Sequence, residues 1–281
     1  MINNPIFIIS NPRSGSSVFR MVLNNSDDSI FPPECGFIQW LYDKYKNWSN
    51  VKISEFVSDV LNSKKMEGWY LDKDGLYNHI EKNNPKNYGE ACFYVYQYYG
   101  KKLNKNIKVW GDKNNYYIDY LDTLKDIYPN AKFIWLHRDP RDVCSSYLKL
   151  DDLSDEIKYK PKVPKDIKNI FSNLKNNQNK IYNFFNEVDN DKKFIISFED
   201  FITQNPKSIK DLGLFTELDI ITSINNFNKK KYFDEPTITI SWKKKIKENL
   251  DGKYLKTYTN HKFSEKIEEE YKKIKWDINV Y

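Results

Sequence analysis

Cysteine is scarce in this chain of 281 residues, and the three cysteines that it has are far apart. Cys35, Cys92 and Cys144 show neither the paired pattern of a disulfide framework nor the close spacing of a metal site. Scattered, unpaired thiols are typical of proteins from a reducing compartment. The sequence therefore predicts a cytoplasmic protein that binds no metal through cysteine.

Long hydrophobic runs are also missing from the sequence. No stretch reaches the roughly 18 consecutive apolar residues that a transmembrane helix needs. The first strand-like run begins at Ile6, so neither a signal peptide nor a membrane anchor fits in front of it. We therefore expect no integral membrane segment.

Strong charge of one sign is absent as well. Forty-five Lys and Arg residues face 39 Asp and Glu residues, which gives a net charge of +6 that is spread along the chain. The lysine runs at 229–231 and 243–245 are short, and no basic block alternates with aromatic residues. We expect no nucleic-acid partner, although the excess of positive charge suits an anionic cofactor.

The most informative segment is IFIISNPRSGSS at residues 6–17. An apolar strand leads into a turn of small residues, and the following VFRMVL is typical of a helix. Such a turn is an anion cradle, since its backbone N–H groups, the helix dipole and the hydroxyl groups of Ser16 and Ser17 all attract negative charge. Gly15 permits close approach of the backbone, and Arg13 adds a fixed charge suited to phosphate or sulfate. The alternative is an ordinary strand-to-helix connection.

The segment lacks the features of a Walker A loop. No lysine follows Gly15, and no glycine stands five residues before it. A metal-dependent kinase or nucleotide triphosphatase is therefore disfavoured.

A second segment, KFIWLHRDPRDVCSSYLK at residues 132–149, repeats the arrangement of strand, turn and helix. Pro140 suits the first turn of a helix, and Arg138 leaves the end of the strand, where open α/β sheets bind ligands. Ser146 lies about two helical turns further on. The alternative for Arg138 is an ion pair with Asp139 or Asp142.

The rest of the chain alternates strand-like and helix-like patterns. Strands are expected at 6–10, 107–110, 133–137 and 194–198, with helical periodicity between and after them. This order predicts an α/β fold with a parallel sheet and helices on both faces. Two further segments, 66–104 and 151–165, look least regular, and each is either a border of an acceptor cleft or a surface elaboration.

The two anion-binding segments resemble the phosphate-binding motifs of the sulfotransferases that use 3′-phosphoadenosine 5′-phosphosulfate (PAPS). Pro12 to Ser17 match P-[KR]-[ST]-G-[ST]-[ST], which holds the 5′-phosphosulfate in that family. A run of R-[ND]-P-x-D-x-x-x-S holds the 3′-phosphate, and its matches here are Arg138, Asp139, Pro140, Asp142 and Ser146. VWGDK and KFIISFEDFITQNP extend the similarity to the branch that acts on protein tyrosines and bacterial glycans.

This resemblance implies a P-loop-like, three-layer α/β fold with a central parallel sheet flanked by helices, forming one sulfotransferase domain over residues 1–281. It implies PAPS as donor, PAP as product and no required metal. The implied cofactor-binding residues are Arg13, Ser14, Gly15, Ser16, Ser17, Arg138, Ser146, Phe198, Trp242 and Lys243. Phe198 stands where relatives carry a tyrosine that contacts adenine, so the ring remains but the hydroxyl group is lost.

The resemblance further implies three catalytic residues: Glu34 as general base, Arg13 at the leaving phosphate and Lys113 at the sulfonate group. The alternatives are a surface position for Glu34 and an ion pair with Asp112 for Lys113. His137 and Asp112 are the other candidate bases.

The acceptor stays open: a saccharide hydroxyl is favoured, then a tyrosyl or phenolic hydroxyl, then an amine. A catalytically silent nucleotide-binding protein and a divergent P-loop nucleotide kinase are the alternative functions.

Overall fold

The computed structural model of the protein describes residues 4–150, 158–160, 164–229, 250 and 254–276. Within these residues, five strands form the sheet: β1 (Ile6–Ile9), β2 (Ser29–Ile30), β3 (Val109–Lys113), β4 (Lys132–His137) and β5 (Lys193–Ser197). The helices are α1 (Ser16–Leu23), α2 (Phe37–Trp40), α3 (Tyr42–Tyr45), α4 (Ile53–Asn62), α5 (Lys73–Asn83), α6 (Tyr88–Lys102), α7 (Leu121–Ile127), α8 (Pro140–Leu148), α9 (Ile167–Glu187), α10 (Phe198–Ile202), α11 (Pro206–Thr216), α12 (Ile220–Lys229) and α13 (Ser264–Lys272).

The strands are parallel and lie in the order β2-β3-β1-β4-β5. β1 is central, and Phe7 aligns with Asp112 of β3 on one side and with Phe133 of β4 on the other. Parallel strands need crossover connections, which the intervening helices supply. The predicted α/β fold with a parallel sheet flanked by helices is confirmed.

Alternate residues of β1 pack into different cores, as a strand covered on both faces requires. Phe7 and Ile9 belong to a cluster with α5 and α6, whereas Ile6 and Ile8 belong to a cluster with α1, α11 and α12. A smaller cluster joins α8, α9 and α13 through Phe171 and its neighbours. The sheet is therefore the middle of three layers.

The strand predictions hold for β1, β4 and β5 to within one residue, but β3 begins later and ends later than expected. The strand continues through Gly111, Asp112 and Lys113 because these residues pair with Ile6, Phe7 and Ile8 of β1. A side chain at Gly111 would lie 2.2 Å from the carbonyl oxygen of Ile6, so the glycine allows β1 and β3 to pair. β2 was not predicted, since two residues are too few for an alternating pattern.

The expectation that residues 66–104 are irregular was wrong. This segment holds α5 and α6, whose first turns are capped by the side chains of Asp72 and Asn87. Its aromatic residues are not surface elaboration, because Trp69, Tyr96 and Tyr99 are buried in the core. Of the other segment, 151–165, most residues lie outside the described part of the chain.

In the ranges that the structure describes, we find no helix that combines the length and the apolar character needed to cross a membrane.

Candidate active site

The candidate residues converge because each follows the carboxyl end of a strand. Arg13 comes after β1, Glu34 after β2, Arg138 directly after β4 and Phe198 directly after β5, while Lys113 ends β3. All five strands are parallel, so these ends meet at one edge of the sheet, where open α/β sheets bind ligands.

The first loop has an unusual backbone. Arg13 has φ 73° and Gly15 has φ 85°, so two residues of the turn are left-handed. Left-handed backbone costs little for glycine but is uncommon for arginine. A Cβ atom at Gly15 would lie 2.1 Å from the Phe198 ring, so this position also needs glycine for space. Ser14 and Ser16 are buried, and α1 begins at Ser16.

Arg13 connects the two anion-binding segments. Its Nε donates a hydrogen bond to the Ser146 hydroxyl oxygen at 3.0 Å, although 133 residues separate them in sequence. Burial, followed by the nearby positive charge of Arg138, lowers the pKa of Arg13 to about 10; Tyr147 and Glu34 oppose this shift. Ser146, implied by the resemblance to bind the 3′-phosphate together with Arg138, therefore bonds to Arg13 in this structure.

Arg138 lies at the start of α8, in a turn that other side chains hold in place. Asp139 caps α8 by accepting from the N–H of Arg141 at 2.8 Å, and Glu199 accepts from the N–H of Asp139 at 3.0 Å.

The guanidinium group of Arg138 donates to the carbonyl oxygens of Tyr254 at 2.6 Å and of Arg13 at 3.3 Å, and it also lies 3.4 Å from Asp142. Within the described residues, its buried Nε has no hydrogen-bond partner. The expected ion pair with Asp142 is thus one contact among several.

Phe198 is 1 % exposed. Its ring lies against Gly15 and 4.8 Å below the guanidinium carbon of Arg138. The ring thus packs against both the loop and the arginine. Trp242 and Lys243, the other two residues implied for the nucleotide, lie outside the described residues.

Glu34 lies between two ammonium groups. Lys113 Nζ contacts its Oε1, and Lys65 Nζ lies 2.7 Å from its Oε2. The Lys113 side chain is 1 % exposed and the Glu34 side chain 14 %, so the pair is largely shielded from water. Glu34 is therefore not a surface glutamate. Lys113 pairs with Glu34 instead of Asp112, whose carboxylate accepts from the backbone N–H of Lys113 at 2.7 Å.

The other candidate bases are less accessible. Asp112 is fully buried and accepts a hydrogen bond from the Tyr117 hydroxyl group, and burial raises its pKa to about 6. Burial lowers the pKa of His137 to about 4, so its imidazole is a weak base at neutral pH. Of the three groups, only Glu34 is partly exposed and also in contact with lysine ammonium groups, which favour the ionised form of a carboxylate.

Two residues of the site escaped the sequence analysis. Lys65 comes from the turn after α4, and Tyr254 contributes a backbone carbonyl group. A lysine in a Lys-Lys pair and a carbonyl oxygen carry no sequence signal, so only the tertiary structure identifies them. In the part of the chain that the structure describes, no group of three or more His, Cys, Asp or Glu side chains is arranged to hold a metal ion.

Comparison with known structures shows the same fold in sulfotransferases. The sulfotransferase domain from the curacin biosynthetic pathway has a TM-score of 0.52 and 20% identity, covering 78% of this chain and 77% of that one. The sulfotransferase domain of the olefin synthase of Synechococcus PCC 7002 has a TM-score of 0.53 and 19% identity, covering 80% and 76%. A mouse sulfotransferase complexed with PAP has a TM-score of 0.50 and 11% identity, covering 96% and 83%.

No curated protein sequence matches this one. A family model described as "Sulfotransferase family" does match, and it covers residues 5–222, well over half of the chain. The chain belongs to the sulfotransferase family.

Proposed function

We propose that this protein transfers a sulfonate group from PAPS to a hydroxyl group of an acceptor. The observation that carries the proposal is the hydrogen bond between Arg13 and Ser146, because it brings the two phosphate-binding motifs to one place. Glu34 is close enough to Arg13 for its charge to act on the pKa of Arg13, which it raises against the lowering effect of burial. The candidate base and the candidate anion-binding group are therefore neighbours.

The residues fit the donor. The left-handed Gly15 and the start of α1 form a cradle whose backbone N–H groups suit phosphate and sulfate oxygens. Arg138 offers a guanidinium group that is bonded to two carbonyl oxygens and has one N–H without a partner among the described residues. When bound, PAPS supplies the sulfonate group and a phosphate leaving group.

In the proposed mechanism, Arg13 stabilises the negative charge that grows on the leaving oxygen. Transfer of such a group depends mainly on alignment and on fixed positive charge, as in phosphoryl transfer. The hydrogen bond to Ser146 holds the guanidinium group in one orientation before the reaction begins. Since its partner there is an uncharged hydroxyl oxygen, this bond does not itself neutralise the positive charge of Arg13.

Glu34 takes the proton of the acceptor hydroxyl group. Its carboxylate has four lone-pair positions, and the ammonium groups of Lys65 and Lys113 donate to it, one to each oxygen. Lys113, buried beneath it, holds the carboxylate and places positive charge beside the transferred sulfonate group. A saccharide hydroxyl is the favoured acceptor, followed by a phenolic or tyrosyl hydroxyl and then an amine.

Calorimetric titration of PAP, PAPS and ATP, each with and without magnesium, tests this function. We expect PAP and PAPS to bind without magnesium, and radiolabelled PAPS to pass its label to a member of a panel of saccharides and phenols. ATP binding that requires magnesium would favour a nucleotide kinase. Binding of PAPS without transfer to any acceptor would favour a catalytically silent nucleotide-binding protein.

A further inference from the structure

A short turn after α4 lies against the loop that carries Glu34. The turn spans residues 65–69 and begins at Lys65, whose φ of 74° is left-handed. Met66 and Trp69 are buried in the core, so their side chains hold the turn against the rest of the protein.

Two contacts join this turn to the Glu34 loop. Trp69 Nε1 donates to the carbonyl oxygen of Pro33 at 2.9 Å, and Lys65 Nζ donates to Glu34 Oε2 at 2.7 Å. The first contact fixes the backbone directly before Glu34, and the second fixes its carboxylate. Together they position the residue from both ends.

The neighbouring lysine provides a natural comparison. Lys64 is exposed, and its ammonium group lies 5.5 Å from the Tyr159 ring and 5.9 Å from the Tyr116 ring. Among the residues that the structure describes, it makes no ion pair. Of two adjacent lysines, only Lys65 bonds to the candidate base.

Charged groups of both signs lie near the Glu34 carboxylate. Lys65 and Lys113 contact it, Arg13 interacts with it from the loop after β1, and Asp112 from β3 is the negative group near it. Positive groups are therefore the majority of those named, and the Lys65 side chain is partly exposed, at 14 %.

We propose that Lys65 is a positioning residue that keeps Glu34 ionised and correctly oriented to take the acceptor's proton. This inference rests on the proposed function, in which Glu34 is the general base. Burial opposes the charge of Lys65, but the Glu34 carboxylate outweighs that effect and raises the pKa of Lys65, so both groups stay charged together. An ionised carboxylate is the form that accepts a proton.

Carbon-13 NMR of the protein labelled at glutamate carboxyl carbons tests this directly, without an acceptor. The Glu34 signal is assigned by its loss in Glu34→Gln. In Lys65→Met, we expect the titration midpoint of Glu34 to rise by about one pH unit or more, since an opposite charge at this distance shifts a carboxyl group by that amount. Lys65→Arg should restore the midpoint, and the matched control Lys64→Met should leave it unchanged.

Lys65→Gln covers the case in which the methionine variant does not fold, because it keeps a donor to Oε2 without the charge. An unchanged Glu34 midpoint in a folded Lys65→Gln or Lys65→Met protein would overturn the proposal, as would an equal shift in Lys64→Met. A lower melting temperature without a shifted midpoint would indicate a merely structural role and would also overturn it.

This result is separate from the test of the proposed function. Whether Glu34 is the base is decided by the transfer rate of Glu34→Gln, whereas the role of Lys65 is decided by the NMR titration. PAP affinity should be the same in wild type, Lys65→Met and Lys64→Met. A fall in PAP affinity in Lys65→Met but not in Lys64→Met would show that Lys65 also affects nucleotide binding. It would overturn the proposal that Lys65 acts only through Glu34.

Discussion

Two sides of the proposed site differ in the acceptors to which their cationic side chains donate hydrogen bonds. We call them the nucleotide side, formed by Arg13, Arg138 and Ser146, and the acceptor side, formed by Glu34, Lys65 and Lys113. On the nucleotide side, the guanidinium groups donate to the Ser146 hydroxyl oxygen and to backbone carbonyl oxygens, with Asp142 at a longer 3.4 Å. On the acceptor side, both ammonium groups donate to one carboxylate.

Under the proposed function, this difference would let one set of strand ends serve two tasks. Bonds to uncharged oxygens orient an arginine without themselves neutralising its charge. Bonds to a carboxylate largely neutralise a lysine and keep the carboxylate ionised in a shielded place. We therefore expect substitutions on the nucleotide side to change binding and charge stabilisation, and substitutions on the acceptor side to change proton transfer.

The largest effect is expected from Glu34→Gln. The amide cannot take a proton, so the transfer rate should fall about 10²- to 10⁴-fold, measured with radiolabelled PAPS, while PAP affinity stays unchanged. The substitution also leaves the buried Lys113 without its counter-charge, which costs stability. The double variant Glu34→Gln/Lys113→Met removes both charges and serves as the matched control for folding. A wild-type rate in Glu34→Gln with a saccharide acceptor would refute the role of the acceptor side.

Arg13→Met should lower kcat by about 10²- to 10³-fold with a smaller change in PAP affinity. Its charge is expected to act mainly in the transition state, where negative charge grows on the leaving oxygen. Arg13→Lys should recover much of the rate, because it restores the charge. Full turnover by the methionine variant would remove Arg13 from the mechanism.

The free energy of unfolding should depend on pH in opposite ways through one buried group next to each side. These groups are His137, which precedes Arg138 on the nucleotide side, and Asp112, which precedes Lys113 on the acceptor side. Burial lowers the pKa of His137 to about 4, so the unfolded chain binds a proton first as the pH falls. The free energy of unfolding should then drop by up to about 3 kcal/mol between pH 6.5 and pH 4. Burial raises the pKa of Asp112 to about 6, so its contribution is present at low pH and is lost as the pH rises from about 4 to 6.

Urea denaturation of wild type, His137→Asn and Asp112→Asn at a series of pH values separates these contributions. As the pH falls, the free energy of unfolding of wild type should decrease relative to that of His137→Asn. Over the same pH range it should increase relative to that of Asp112→Asn. Parallel curves for all three proteins would contradict the opposite behaviour of the two sides.

The smallest of these effects, a loss of PAP affinity, is expected for Arg138→Ala. Loss of charge-assisted hydrogen bonds should weaken PAP binding by about 2 kcal/mol, roughly 30-fold in affinity, measured by calorimetry. Adenosine 5′-phosphosulfate, which lacks the 3′-phosphate, should be much less affected. Equal losses for both nucleotides would mean that Arg138 maintains the fold through its contacts with Tyr254 and Arg13 rather than binding a phosphate group.

The sequence predicted the residues that follow strand ends because a short apolar run, a tight turn and a charged residue form a local pattern. Arg13 and Arg138 belong to such patterns, and the parallel sheet then brings them together. The contact partners were less predictable. Lys65 reaches Glu34 across 31 residues of sequence, and Ser146 bonds to Arg13 rather than Arg138, because helix packing decides both contacts.

Segment 66–104 is helical rather than irregular, and its sequence pattern hides this for a related reason. The tyrosines of α6 are spread around the helix rather than along one stripe, since the helix contacts the sheet on one side and α5 and the turn that carries Trp69 on the other. A helix buried on several faces gives no amphipathic period, so the pattern resembled a loop.

The left-handed backbone of Arg13 sets stability against activity at one position. Asparagine and glycine adopt φ near 73° more readily than arginine does, so either would relieve strain of about 1 kcal/mol. Neither could supply the guanidinium group. If Arg13 acts as proposed, selection of this protein for thermal robustness alone would favour asparagine at residue 13 and yield heat-resistant variants that have lost turnover, so a directed-evolution campaign must screen turnover and melting temperature together.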